Sequence, residues 1–126
     1  MSDYSDFIDD GYTEPGNIDA DPGIHGPLKF EYRPMVPAVQ GRLLEKKGSD
    51  EFNAMTCRLL GGKDALLKSW TLVNSKKEPV VISEANLARV RPGLFDKLWQ
   101  IIAGIRASDG AKMLDLTADA KNLLPG

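Results

Sequence analysis

The sequence predicts a mainly α-helical fold: a small domain of about four to five short helices with a minor β element, preceded by an extended N-terminal arm. Three observations lead to it. Residues 1–27 are acidic and rich in Gly and Pro, which does not sustain a helix. Residues 28–33 alternate apolar and charged side chains, as a half-buried strand does. From position 37 onward, apolar residues recur at the spacings typical of amphipathic helices. The length of 126 residues suits one domain.

The charge of the chain divides it into two parts. Residues 1–27 hold seven acidic side chains and no Lys or Arg, so residues 28–126 carry +5 of the total net charge of −2. We therefore expect an acidic extended arm over 1–27 and a mainly helical domain over 28–126. Like charges repel, but apolar side chains are spaced along the arm, so two alternatives remain: the arm docks on the body, or it is disordered and orders on binding. These apolar residues are Tyr4, Phe7, Ile8, Tyr12, Ile18 and Ile24.

The first ordered elements are expected to be a strand and a helix. The strand over 28–33 should end at Pro34, since proline lacks the N–H that a ladder needs. Pro37 suits the first turn of a helix, where that N–H has no partner in any case. A short apolar stripe follows over 38–44 and stops at Lys46.

A second helical region is predicted over residues 52–70. Ser49 or Asp50 is placed to cap it, and apolar residues recur at helical spacing up to position 60. Gly61 and Gly62 interrupt the pattern, and an apolar face resumes over 65–70. The region is therefore either one kinked helix or two short ones.

The centre of the chain mixes short elements. Residues 70–73 read as extended, and residues 80–82 as a short strand that pairs back after a polar turn. Ser83 is a good N-cap for a helix that must end before Pro92.

The strongest helix pattern begins at Pro92. Its apolar residues share one face up to Ile105, and residues 108–110 are expected to end it. A last amphipathic stretch is predicted over 113–124, with Thr117 as its cap. Along the strong helix, the apolar stripe consists of Leu94, Phe95, Leu98, Ile101, Ile102 and Ile105.

Composition argues against several function classes. A hydrolytic triad needs a base beside a nucleophile, and the single histidine, His25, lies in a Gly- and Pro-rich segment where a polar surface residue is expected. Cys57, the single cysteine, allows no internal disulfide and is expected to be a packed thiol. Together they do not make a zinc site. We therefore expect no enzyme, no metal and no cofactor.

Neither a nucleic acid nor a membrane is expected as a partner. Basic residues of the domain are dispersed among acidic ones, which is typical of a solvated face, so no nucleic-acid partner is predicted. No apolar run approaches the roughly 20 residues of a membrane span, and the N-terminus has no signal-peptide pattern. A membrane partner is not predicted either.

A protein-binding surface remains as the expected functional feature. Tryptophan is the residue type most enriched at interface hot spots, yet a chain with few aromatics also needs them in its core. The core is favoured for Trp99, and neither location is favoured for Trp70. The residues that we expect to contact a partner are Trp70, Leu94, Leu98, Trp99 and Ile102.

Several segments resemble the tail assembly chaperones of long-tailed bacteriophages and prophages. Those proteins show an apolar helix that ends in Trp, a charged turn, a Pro-Val/Ile-Ser/Thr-x-x-Asn-Leu step and a final apolar helix. The segments that carry the resemblance are residues 66–73 (LLKSWTLV), 78–87 (EPVVISEANL), 91–95 (RPGLF) and Leu98, with looser similarity at 30–35 and 10–16.

The resemblance implies a non-enzymatic role in virion assembly, in the cytoplasm of the bacterial host. Such chaperones bind the long, aggregation-prone tape-measure protein, keep it soluble and recruit tail-tube subunits, and they are absent from the mature virion. It also implies that a frameshifted longer form can exist, for which Lys121-Asn122 is a candidate slippage site. On this interpretation the acidic arm occupies the client groove until a client arrives, and deletion of 1–27 tightens client binding.

Two other classes stay open. A small structural virion protein, such as a connector or tail-completion subunit, would assemble into a ring without any client. A DNA-associated regulator would use the basic residues of the domain and bind duplex in a salt-sensitive way.

Overall fold

The expectation of a mainly α fold is wrong, because a three-stranded antiparallel sheet accompanies four helices. The computed structural model describes residues 5–110, of which 32% are helical and 17% are in strands or bridges. The fold therefore combines α and β structure about one core. In chain order the elements are β1 (Glu14–Ile18), β2 (Leu28–Tyr32), α1 (Pro37–Glu45), α2 (Phe52–Gly61), β3 (Leu67–Trp70), α3 (Glu84–Leu87) and α4 (Pro92–Ile102).

The central strand is β2, which pairs with β1 on one side and β3 on the other. Its side chains alternate between buried and exposed, as the sequence predicts for this stretch. The buried members Leu28, Phe30 and Tyr32 supply the apolar inner face of the sheet. The strand expected over 28–33 is thus confirmed.

Within residues 1–27, where the sequence predicts an extended arm, the chain forms β1, which pairs with β2 from Glu14↔Tyr32 to Ile18↔Leu28. The sequence pattern did not indicate this strand, because Pro15 and Gly16 are residue types that are typical of turns. Proline is tolerated here because β1 is an edge strand. Gly16 is buried against the ring of Phe30, so the strand passes where a side chain would not fit.

The outer edge of β1 is covered by the loop that follows α4. The backbone N–H of Asp109 donates to the Asn17 carbonyl (2.8 Å), and a carboxylate oxygen of Asp109 accepts from the Asp19 N–H (2.9 Å). Ser108 Oγ also accepts a hydrogen bond from the Asn17 N–H. In the described residues, the arm is therefore docked on its own body.

The helix expected over 65–70 is replaced by β3. Leu67 is buried whereas Lys68 and Ser69 are exposed, and a bulge between Glu31 and Tyr32 shifts the register. The bulge breaks the two-residue alternation by which a strand is recognised, so the apolar residues read as a helical face. Of the extended stretch expected over 70–73, only the first residue belongs to a strand.

The other helix boundaries follow the sequence closely. Pro37 opens α1, and Gly62 follows the last residue of α2. Neither Ser49 nor Asp50 caps α2, whose N-cap position is Glu51 and has no side-chain cap bond. For α3 the expected cap is confirmed, since Ser83 Oγ accepts from the backbone N–H three residues later (3.1 Å).

The strongest helix, α4, ends at Ile102 and does not reach Ile105. Gly104 adopts a left-handed φ of 82°. Its N–H donates to the Ile101 carbonyl, and the Ile105 N–H donates to the Gln100 carbonyl, both at 3.0 Å. This is the Schellman pattern, in which a left-handed glycine closes the last turn. Ile105 is consequently left half exposed.

A single apolar core joins the sheet to the helices. It contains the inner face of β2, buried residues of α1 and α2, and almost the whole apolar stripe of α4. The amphipathic stretch predicted over 113–124 lies outside the described residues. Within residues 5–110, no helix has both the length and the apolar character needed to cross a membrane.

Candidate functional site: a groove with a basic rim

Four of the five residues expected to contact a partner lie in the core. Leu94, Leu98, Trp99 and Ile102 are each at most 5% exposed. The indole of Trp99 packs edge-on against the ring of Phe52, with 5.0 Å between centroids. In this conformation these side chains stabilise the domain, and Leu94 alone also reaches a surface groove.

Trp70, the fifth residue, is half-buried and connects β3 to the segment that follows it. Its indole Nε1 donates a hydrogen bond to the Val80 carbonyl (2.7 Å). The Val80 N–H in turn donates to the Leu72 carbonyl (3.0 Å), and Val73 forms a bridge with Pro79. Residues 72–80 therefore fold back on themselves, where the sequence predicted a strand over 80–82.

The turn of this segment is organised by Asn74. Its side-chain oxygen accepts from the backbone N–H groups of Lys76 (2.9 Å) and Glu78 (3.0 Å). Its amide nitrogen donates to the Glu78 carboxylate (3.0 Å), and Lys77 takes a left-handed φ of 65°. Asn side chains commonly close turns in this way. The turn holds residues 72–80 as one defined wall.

The opposite wall is the corner between α3 and α4. The capped start of α3 is tied to residues 80–82, since the Asn86 side chain donates to the Val81 carbonyl (2.7 Å). The chain then turns through Arg89, Val90 and Arg91 before α4 begins. Both arginine side chains are exposed.

Between these walls lies a groove of about 800 Å³, a size within the roughly 300–1,000 Å³ of typical ligand pockets. We call it the basic-rimmed groove. Val73 and Val81 are exposed at its walls, at 45% and 73%. Exposed aliphatic side chains beside a concave surface favour an apolar partner. Apolar and polar groups contribute about equally to the lining. The lining comprises the apolar residues Leu72, Val73, Pro79, Val80, Val81, Val90 and Leu94, the charged residues Lys76, Glu78, Arg89 and Arg91, the uncharged polar residues Asn74, Ser75 and Asn86, and His25 and Gly26.

The charge of the rim is positive. Three basic side chains and one acidic side chain give a net of +2. The ion pairs among residues 5–110 do not include Lys76, Arg89 or Arg91. These cations are thus available to a partner, and their field favours one that carries negative charge.

The third wall comes from the acidic arm, through His25 and Gly26. His25 was expected to be a surface residue, but it is only 8% exposed. Its Nδ1 lies 2.7 Å from the Gly26 carbonyl and its Nε2 lies 2.8 Å from Lys97 Nζ. A neutral imidazole with its proton on Nδ1 satisfies both contacts. Asp21, 3.5 Å from the same Nζ, completes the link between the arm and α4.

A polar cluster around Glu14 lies at the start of β1, away from His25. The Glu14 carboxylate accepts hydrogen bonds from the hydroxyls of Tyr32 (2.6 Å) and Tyr12 (2.7 Å). Burial, followed by the hydrogen bond and the charge of Glu14, raises the pKa of Tyr32 above its ordinary value. This cluster stabilises the hairpin.

The remaining candidate from the sequence is Cys57, which is confirmed as a packed thiol, with 6% of its surface exposed. Burial raises its pKa. In the part of the chain that the structure describes, no three His, Cys, Asp or Glu side chains are grouped so as to hold a metal ion.

Comparison of this chain with protein-family models, with curated proteins and with solved structures finds no match. The rim residues Arg89 and Arg91 were not among the predicted contacts, because charged residues that belong to no motif are ordinarily interpreted as solvent-exposed surface. The exposed Val81 was missed for a different reason. It belongs to an apolar run, residues 80–82, which was read as strand.

Proposed function

We propose that this protein is a non-enzymatic tail assembly chaperone of a long-tailed bacteriophage or prophage. It binds the tape-measure protein, keeps it soluble and recruits tail-tube subunits during assembly. One observation carries the proposal. The segments that resemble this family, residues 66–73, 78–87 and 91–95 with the turn between the first two, supply most of the lining of the basic-rimmed groove.

The chemistry of the groove supports a helical client. An amphipathic helix buries its apolar stripe in such a groove through side chains about one turn apart. The walls offer Leu72, Val80 and Val90 for this contact, and the rim offers cations for acidic residues beside the stripe. A long client presents many such stripes, so several weakly bound copies would cover it at once.

In this proposal the acidic arm does not occupy the client groove before a client arrives; it forms part of the groove. His25 forms part of a groove wall, and β1 is an edge strand of the sheet. Deletion of residues 1–27 removes both, so it weakens client binding and destabilises the domain. This reverses the effect expected from the sequence.

The proposal is tested by co-expression with the tape-measure protein of the same phage or prophage. A client that is insoluble alone and co-purifies with several copies of the chaperone supports it. Val81→Asp places a charge among the apolar groove residues and abolishes co-purification. Lys63→Glu, an exposed change outside the groove lining, leaves co-purification unchanged.

Two results contradict the proposal, one from that experiment and one from purified particles. The first is a client whose solubility is indifferent to this protein, while the protein elutes as a defined ring that does not dissociate on dilution; that result supports a structural virion subunit. The second is detection of the protein in purified particles, because a chaperone that acts in the host cytoplasm leaves the finished tail.

A further inference from the structure

The chain carries a second surface that is complementary to the basic-rimmed groove. We call residues 5–10 (SDFIDD) the acidic segment. Phe7 is 72% exposed. Its backbone is held by Ser5, whose Oγ accepts from the Phe7 N–H (3.3 Å) and donates to the Phe7 carbonyl (3.0 Å). Asp6, Asp9 and Asp10 are also exposed. An exposed aromatic ring flanked by carboxylates is complementary in charge to the rim of the groove, and the groove offers apolar side chains to the ring.

The acidic segment does not reach the groove of its own chain in this conformation. The Asp9 carbonyl accepts from Arg33 Nη1 (2.7 Å), next to the last residue of β2. The groove lies past the other end, where the Thr71 N–H donates to the Lys29 carbonyl (2.9 Å) and residues 72–80 begin. Positions 29 and 33 are four residue steps apart, which separates these two points by about 13 Å along the strand.

We propose that the acidic segment of one copy of this chain binds in the basic-rimmed groove of the next copy. Phe7 contacts the apolar lining, and the carboxylates of Asp6, Asp9 and Asp10 face Arg89 and Arg91. The groove and the segment are different surfaces, so the contact is heterologous and head-to-tail, and it produces open chains or rings rather than a closed two-fold dimer.

The strength of this contact is expected to be modest. Exposed ion pairs each contribute little and are screened by salt, so burial of the Phe7 ring is the main favourable term. Self-association should therefore be concentration-dependent and weaker at high ionic strength. The inference is independent of the proposed function. If both hold, client and neighbouring copy compete for one groove, and client binding dissociates the chains.

The test is sedimentation velocity over a concentration series with the full chain and two variants. Phe7→Ser removes the ring from the segment, and the double variant Arg89→Glu, Arg91→Glu reverses the rim charge. Each alone should weaken self-association at least tenfold. Ile105→Ser, at an exposed position outside the groove lining, should self-associate like the unmodified chain. Urea unfolding midpoints confirm that the variants are folded.

Mixing the two variants distinguishes this geometry from any other. The Phe7→Ser chain keeps a working groove, and the double variant keeps a working segment, so one intact interface remains. The mixture should form 1:1 heterodimers and nothing larger, although each variant alone is monomeric. A monomeric unmodified chain, variants that associate normally, or a mixture that stays monomeric would each overturn the proposal.

Discussion

Substitution of Gly16 by Ala probes whether β1 is part of the folded domain. A β-carbon placed on Gly16 lies no more than 2.9 Å from three ring atoms of Phe30, closer than real β-carbon contacts occur. The ring is held in turn, since Phe30 is 5% exposed and its centroid lies 5.4 Å from that of Tyr32. One of these groups must therefore move.

The magnitude follows from two opposing effects. Overpacking of a core by one carbon costs about 1–3 kcal/mol. Alanine also restricts the unfolded chain, which returns about 0.4–1 kcal/mol, because Gly16 is not among the glycines with positive φ. With both ranges taken near their midpoints, the free energy of unfolding should fall by about 1–2 kcal/mol. For a slope of about 2 kcal/mol per molar urea, the unfolding midpoint falls by about 0.5–1 M.

Urea unfolding followed by circular dichroism measures this shift, and the chain offers a matched control. Gly41 lies in the middle of α1, exposed, with open space where a β-carbon would be. Gly41→Ala should raise stability by about 0.5–1 kcal/mol, the ordinary gain for a helix. Phe30→Leu in the Gly16→Ala background should cost less than the sum of the single changes, because it makes room for the methyl group. If Gly16→Ala proves as stabilising as Gly41→Ala, β1 does not pack on Phe30 and the sheet described above is wrong.

Three further predictions concern stability. Trp70→Phe removes the hydrogen bond to the Val80 carbonyl and should lower the free energy of unfolding by about 1 kcal/mol, with faster amide exchange in residues 72–80; unchanged exchange there would contradict the bridging role of the indole. Ser83→Ala removes the α3 cap and should cost about 1 kcal/mol in the same urea assay, whereas Ser75→Ala, on the exposed turn, should cost nothing measurable. Because the folded state raises the pKa of Tyr32, its contribution is complete below pH 10 and declines above it, where the unfolded chain releases the phenolic proton first. The decline in unfolding free energy above pH 10 should be shallower in Tyr32→Phe, and an identical decline would refute the assignment.

The sequence predicted the helices and the central strand because each has a local signal. Pro37, Ser83 and Pro92 mark starts, and alternation marks β2. β1 was not predictable in this way, since its pairing partner lies ten or more residues away and its own residues are typical of turns. An edge strand needs few good strand formers when a neighbouring strand supplies the hydrogen bonds.

The sequence predicted which segments belong to the candidate site, but most of the individual residues that it predicted as partner contacts lie in the core. An amphipathic stripe such as that of α4 shows that one face is buried, but it does not show whether the cover is the same chain or a partner. Here the inner face of β2 needs a cover, and Leu98 and Trp99 belong to the core that provides it. The surface that remains for a partner is formed by residues whose sequence pattern does not mark them as contacts, among them Val81 and Arg89. His25 illustrates the same point, since its burial depends on Lys97, 72 residues away.

We propose that a tape-measure client binds in the basic-rimmed groove. Photo-crosslinking tests it most directly, with a photoreactive residue placed at Val81 in the groove or at Lys63 outside it, in chains co-expressed with the client. We expect crosslinks from position 81 to apolar positions about one helical turn apart on the client, and none from position 63. Crosslinks of equal yield from both positions, or from position 63 alone, would contradict it.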